Sequence, residues 1–195
     1  MRRVAVYCGS RFGRDPRYRD AAEALGAELA RRGLGLVYGG ASVGLMGAVA
    51  QGALDAGGEV IGVIPGALAA RELQHPGLTA MHTVDSMHER KARMSELADA
   101  FVALPGGLGT LDELAEAMTW TQLGIHRKPC GLLDVAGFWA PFVAMMDGFV
   151  ATGFVDPSQR ALLVVEDTPA ALLDALAATS VPEGIWGSAG PVPEP

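Results

Sequence analysis

The sequence predicts an α/β fold: a single domain on an open, doubly wound parallel sheet of about seven strands, with helices on both faces. Three observations carry this. Short apolar runs alternate with longer segments of helical character along the whole chain. The runs are continuously apolar instead of alternating with polar residues, as strands covered on both sides require. The chain has 195 residues, without an internal repeat or composition shift, which suits one domain at roughly 150 residues each.

Each element follows from its own stretch. The first strand is the run at 4–8, Val-Ala-Val-Tyr-Cys, and the longer mixed segment 17–32 is the first helix. The run at 36–38 is the second strand, followed by a helix of small residues at 44–56. Strands at 60–64 and 81–84 come next, and the latter leads through Ser86 into a helix at 87–98. The run at 100–104 is a strand that ends on Pro105-Gly106-Gly107-Leu108-Gly109-Thr110, with a helix at 111–123 beyond it. Strand 130–133 with helix 138–152, and strand 162–165 with helix 169–178, complete the pattern. The domain is expected to span 1–180, and 181–195, rich in proline and glycine, is expected to be a loose tail.

Composition removes several classes of function. Half the residues are hydrophobic and 19% are charged, which excludes disorder for most of the chain. Glycine, at 26 residues, is nearly double its usual ~7% but follows no three-residue period, so collagen is excluded. Cys8 and Cys130 are the only cysteines, too few for a disulfide scaffold and suited to a reducing cytoplasm, where the protein is expected to reside. A net charge of -7 argues against nucleic acid as a partner. The apolar run after Arg3 breaks at Gly9, too short for a signal peptide. Residues 33–54 carry no charge and reach the length of a membrane span, yet they contain seven glycines. A strand, a turn and a buried helix explain them better, and no membrane partner is expected.

The glycines concentrate in three turns after strands: Gly9-Ser10, the stretch from Gly39-Gly40 to Gly47, and the loop from Pro105 to Thr110. A residue without Cβ lets backbone N–H groups approach an anion, and the helix that follows directs its positive end to the same place. In a doubly wound sheet these turns share one edge, where ligands bind. No Gly-Lys-[Ser/Thr] follows any of them and the dinucleotide spacing is absent, so a mononucleotide or sugar phosphate fits better than ATP with magnesium or NAD.

Two charged clusters stand against this glycine. Thr110 with Glu113 has the spacing of a capping box, a purely structural role. A carboxylate beside a phosphate cradle instead makes sense where positive charge develops, as at the anomeric carbon during glycosidic cleavage. Ser86 with Glu89 is a second capping-box pattern, and Arg90, Lys91 and Arg93 crowd the start of that helix, where its dipole disfavours cations. They form either a solvated face or a set answering a phosphate and a leaving base. The histidines at 75, 82, 88 and 126 lack zinc-like spacing, so no metal is assigned, and no cofactor is expected.

Met87-His88-Glu89-Arg90-Lys91, then Pro105-Gly106-Gly107-Leu108-Gly109-Thr110-Leu111-Asp112-Glu113, then Thr119-Trp120 through Lys128-Pro129 closely resemble the LOG ("Lonely Guy") family of cytokinin riboside 5′-monophosphate phosphoribohydrolases. The resemblance covers roughly residues 3 to 166 and implies a Rossmann-like fold. It implies hydrolysis of the N-glycosidic bond of a purine nucleoside 5′-monophosphate, with adenine or an N6-modified adenine as base, giving free base and ribose 5-phosphate. Carried onto this chain, Arg90 and Glu113 are the expected catalytic pair. Glu72, Lys91, Gly107, Leu108, Gly109, Thr110, Leu111, Asp112 and Thr119 are the expected substrate contacts, joined by Gly9, Ser10 and Gly40 from the first two turns. The resemblance further implies a homodimer or larger homo-oligomer with the site near the interface, for which Met118 and Trp120 are apolar candidates.

Two other readings compete. Proteins of this kind have carried the label lysine decarboxylase, but pyridoxal chemistry needs a Schiff-base lysine, and only Lys91 and Lys128 exist. A non-catalytic nucleotide or molybdenum-cofactor carrier on the same fold would keep the glycine turns without needing Arg90 and Glu113 together.

Overall fold

The apolar runs become strands in a computed structural model, which describes residues 1–69 and 74–182. In chain order the elements are β1 (Arg3–Tyr7), α1 (Arg17–Arg31), β2 (Gly35–Tyr38), α2 (Gly44–Asp55), β3 (Val60–Pro65), α3 (Gly66–Ala69), β4 (Ala80–Val84) and α4 (Met87–Leu97). They continue as β5 (Ala100–Ala103), α5 (Leu108–Leu123), β6 (Cys130–Leu133), α6 (Ala140–Ala151), α7 (Pro157–Arg160), β7 (Leu163–Glu166) and α8 (Pro169–Ala178).

Among the described residues the seven strands form one sheet in the order β4-β3-β2-β1-β5-β6-β7. Every neighbouring pair is parallel, and β1 is central: its Ala5 faces Val37 of β2 and Phe101 of β5. Side chains alternate across the sheet, so β1 sends Val4 and Val6 into one core and Ala5 and Tyr7 into the other. The first core is closed by α1, α2 and α8 through Leu25, Leu29, Val49 and Leu172. The second is closed by α4, α5 and α6 through Met94, Leu114 and Met146. This is the doubly wound architecture that the unbroken apolar strands require.

The uncharged stretch 33–54 is β2 and the 12-residue helix α2, buried at Leu45–Ala50. Its small residues have a packing reason, since α1 and α2 approach so closely that a Cβ on Gly26 would lie 2.1 Å from the Val49 carbonyl oxygen. Among the described residues no helix is long and apolar enough to cross a membrane.

Four differences from the predicted elements stand out. Helices α3 and α7 have four residues each, too few to show a period in sequence. The helix predicted at 138–152 is shorter: Val135–Gly137 forms a separate 3₁₀ turn and Asp134 Oδ1 accepts the Trp139 N–H at 2.7 Å, so α6 begins only at Ala140. The helix predicted at 111–123 begins three residues earlier, at Leu108. Of the predicted tail, 183–195 lies outside the described residues.

Candidate active site

β1 is followed by α1 on one face of the sheet and its neighbour β5 by α5 on the other, so a crevice opens between them at the carboxyl edge. The three glycine turns meet there. The Gly9 N–H donates to the Pro105 carbonyl at 3.1 Å and the Gly9 carbonyl accepts from Leu45 N–H at 3.0 Å, which ties the first turn to both others. Between them lies a cleft of about 290 Å³ lined by Val6, Cys8, Gly9, Ser10, Gly39, Met46, Met87, Arg90, Met94, Gly107–Thr110, Asp112 and Glu113.

Of the residues expected from sequence, Gly9, Ser10, Arg90, Gly107, Leu108, Gly109, Thr110, Asp112 and Glu113 are brought together in this cleft. Four others do not line it. Gly40 lies against Met81, and its carbonyl accepts the His75 N–H at 3.1 Å. Leu111 is half-buried on α5, its N–H closing the first helical turn on the Gly107 carbonyl. Thr119 is exposed and donates to the Ala115 carbonyl at 2.7 Å. Lys91 is buried behind the wall of the cleft between two carboxylates. Glu72 lies outside the described residues. Sequence reasoning passed over Met46 and Met94, whose apolar character does not distinguish them from core.

The early start of α5 changes the meaning of its first turn. Its N-cap is Gly107, extended and without a side chain to cap the helix. The N–H groups of Leu108, Gly109 and Thr110, which as the first turn of the helix lack an intrahelical acceptor, thus receive no side-chain oxygen from the N-cap, and they border the cleft where an anion would satisfy them. Thr110 sits inside the helix, packed so closely on Gly106 that a Cβ there would lie 2.1 Å from its Oγ1. The capping box expected of Thr110 and Glu113 is therefore absent: both residues are past the helix start, and Glu113 is buried at 8% exposure. The other box does form, with a variation. Ser86 Oγ accepts the Glu89 N–H at 3.1 Å, while Glu89 Oε2 accepts from Asp85 N–H at 2.8 Å, one residue before the cap.

Capping α4 at Ser86 fixes the direction of the next turn, which carries Arg90 and Lys91 inward and leaves Arg93 outside with Glu96. Arg90 Nη2 stands 3.7 Å from Glu113 Oε1, both side chains about 10% exposed or less. Among the described residues Nη1 has only the Met87 thioether, at 3.8 Å, and Nε is buried without a partner. A buried guanidinium with so few protein bonds retains donors for a ligand. Room for it comes from Gly39, where a Cβ would fall 2.2 Å from Arg90 Nη2 and 2.9 Å from Met46 Sδ. Gly39→Ala is accordingly expected to shift the guanidinium while the backbone holds, because the obstructing atoms are the ends of flexible side chains. Turnover should drop about 10²-fold with an unchanged unfolding midpoint; a parallel fall in stability would instead show that the clash strains the backbone.

Burial raises the Glu113 carboxyl from its usual acidic range to about 7, a rise that Arg90 and Lys91 oppose and Asp112 and Glu116 reinforce. It is poised to change protonation near neutrality. The Cys8 thiol is driven far up by burial and stays protonated. His126, held down to about 4 by burial, is half-buried between Phe101 and Trp120 and does not line the cleft. Among the described residues, chemistry in this cleft therefore rests on the buried Glu113 carboxyl group, the Arg90 guanidinium and a row of helix-terminal amides, while Asp112, the other carboxylate of the lining, is paired with Lys91. That set can hold a phosphate and stabilise a cation beside it.

A family model described as "Possible lysine decarboxylase" matches residues 46–176. The chain is 52% identical over 86% of its length to cytokinin riboside 5′-monophosphate phosphoribohydrolase LOG of Oryza sativa subsp. japonica, covering 69% of that protein. It is 48% identical over 90% of its length to cytokinin riboside 5′-monophosphate phosphoribohydrolase LOG3 of Arabidopsis thaliana, covering 82% of it. Among solved structures, the molybdenum cofactor carrier protein of Chlamydomonas reinhardtii superposes with a TM-score of 0.69 at 23% identity, over 92% of this chain and 99% of that one. At that identity the likeness is one of fold.

Proposed function

Because the chain belongs to the LOG family of cytokinin riboside 5′-monophosphate phosphoribohydrolases, whose model carries the lysine decarboxylase description, we infer that it cleaves the N-glycosidic bond of a purine nucleoside 5′-monophosphate. The products are the free base, adenine or an N6-modified adenine, and ribose 5-phosphate. The observation that carries this reading is the buried Arg90–Glu113 pair facing an uncapped, glycine-built helix start across one cleft.

In the mechanism we propose, the amides of Leu108, Gly109 and Thr110 and the positive end of α5 receive the 5′-phosphate. Glu113, as carboxylate, faces the ribosyl carbon and stabilises the oxocarbenium-like charge that develops as the bond to the base lengthens, or orients the attacking water. Arg90 favours the ionised form of Glu113 against its burial and offers its spare donors to the departing base. Water adds to the anomeric carbon, and the base leaves with the bonding pair and takes up a proton.

Decarboxylation finds no lysine suited to it. Lys91 is engaged by Asp112 and Glu116, and Lys128 Nζ donates to the Ser95 carbonyl at 2.5 Å, so neither faces the cleft. A molybdenum-cofactor carrier keeps support from fold alone. A homo-oligomer is supported by Met145, Phe149 and Phe154, large apolar residues exposed on and just after α6. The buried free thiols Cys8 and Cys130 fit a cytoplasmic setting. Mass spectrometry of the products from AMP, IMP, GMP, CMP and N6-isopentenyl-AMP tests the reaction: base and ribose 5-phosphate are expected from the adenine nucleotides, and release from none would reject hydrolysis in favour of a carrier.

A further inference from the structure

We propose that Arg11, on the turn between β1 and α1, is a specificity-determining residue for phosphorylated substrates: its unpaired guanidinium draws the dianionic 5′-phosphate to the start of α5. The proposal rests on the reading of that helix start as the phosphate site.

The cleft has need of such a charge. The protein carries a net charge of -7, and a nucleoside 5′-monophosphate approaches it largely as a dianion at neutral pH. Within the site the cations offer no surplus, because Arg90 and Lys91 face the carboxyl groups of Asp112, Glu113 and Glu116. The amides of Leu108, Gly109 and Thr110 bring the helix dipole to bear, which amounts to about half an elementary charge. A full positive charge set toward the phosphate has to come from elsewhere on the rim.

The first glycine turn supplies one. Among the described residues its neighbouring arginines are taken, Arg17 by Asp15 at 2.6 Å and Arg19 by Glu23 at 2.7 Å, while no carboxylate pairs with Arg11. The backbone that carries Arg11 is held in place, since Gly44 at the start of α2 packs so closely on Ser10 and the Arg11 nitrogen that a Cβ there would have no room. A second cavity, of about 360 Å³, lies against the cleft, and Gly9, Ser10 and Gly107 line both. Arg11 lines this second cavity beside the rings of Phe12, Tyr18 and Phe138. It therefore stands behind the turn that borders the phosphate site, separated from it by a wall of small residues. Charge in a recess flanked by aromatic rings is less screened than charge in open water, so its field reaches through that wall. Arg14, three residues on, is also unpaired but lines neither cavity.

Steady-state kinetics and calorimetric affinity of the full-length protein for AMP, at about 20 mM and about 500 mM NaCl, test this in Arg11→Lys, Arg11→Gln and Arg11→Glu. At the lower salt, KM and the dissociation constant should rise about fivefold in Arg11→Gln and about 20-fold in Arg11→Glu. Arg11→Lys should stay within about twofold of wild type, and kcat should be unchanged throughout. At the higher salt all four proteins should converge. Arg11 is exposed, so the unfolding midpoints should agree, and if one variant fails to fold the remaining two complete the charge series. Equal affinities in Arg11→Gln and Arg11→Glu, a deficit undiminished by salt, or a fall in kcat with KM retained would overturn the proposal. If the wild-type protein releases no base from AMP, the proposed function fails, while the calorimetric affinities, which need no turnover, still decide the role of Arg11.

Discussion

Glu113→Gln is expected to lower base release about 10³-fold at neutral pH while raising the stability of the protein above pH 7. Both effects follow from one buried carboxyl group. The amide keeps shape and polarity but carries no negative charge, so the developing ribosyl cation loses its counter-charge. The stability effect has a definite sign. The carboxyl titrates near its ordinary value of 4.5 when the chain is unfolded and at about 7 in the fold, so between these values the folded state binds more protons than the unfolded one. Stability from this group is complete below about 4.5 and is lost as pH rises toward 7, where ionising a buried acid costs on the order of 3 kcal/mol. Gln abolishes that loss. Urea unfolding of both proteins at pH 5 and pH 8 measures it: the variant should gain relative to wild type only at the higher pH. Wild-type turnover in Glu113→Gln would remove the residue from the mechanism, and a stability loss at both pH values would reduce it to a packing role.

Arg90→Gln is expected to cost about 10³-fold at pH 7 and, unlike Glu113→Gln, to recover in part as pH is raised. The guanidinium is the foremost influence holding the Glu113 carboxyl down against burial. Its removal leaves an uncompensated buried carboxyl group that stays protonated at neutrality. In the wild type, kcat/KM should climb with pH through a limb near 7, as the carboxylate form appears. In Arg90→Gln that limb should move up by more than one unit, and the difference between the two enzymes should narrow toward pH 9. A limb that stays in place while the rate falls equally at every pH would show that Arg90 acts on the leaving base alone and does not tune Glu113.

Much of this site was legible as a pattern of glycine and charge. The turns at Gly9, Gly39 and Gly107 are visible because close backbone approach leaves glycine as the residue that fits, and Arg90 is visible because a cation at a helix start runs against the dipole. The start of α5 was not legible. Thr110 and Glu113 match a capping box in spacing, and local sequence holds no sign that Gly107 would serve as an uncapped N-cap, an arrangement that only a ligand makes useful. Nor did sequence separate Lys91 from Arg90. One residue apart on a helix, they diverge by about 100°, which turns one toward the cleft and the other behind it. Thr119 and Gly40 carry the same lesson, since each stands in a motif but faces away from the cleft of its own chain.

What the sequence determined by itself is the sheet, its two covered faces and the edge at which ligands bind, because these depend on the polarity of contiguous stretches and on residues lacking Cβ. Tertiary structure alone decided which charges meet. Arg90 and Glu113 are 23 positions apart, and their separation, burial and shared electrostatics depend on how α4 and α5 pack on the sheet. The shift of Glu113 toward neutrality arises from burial together with the charges on α4 and α5, a quantity that no single stretch of the chain contains.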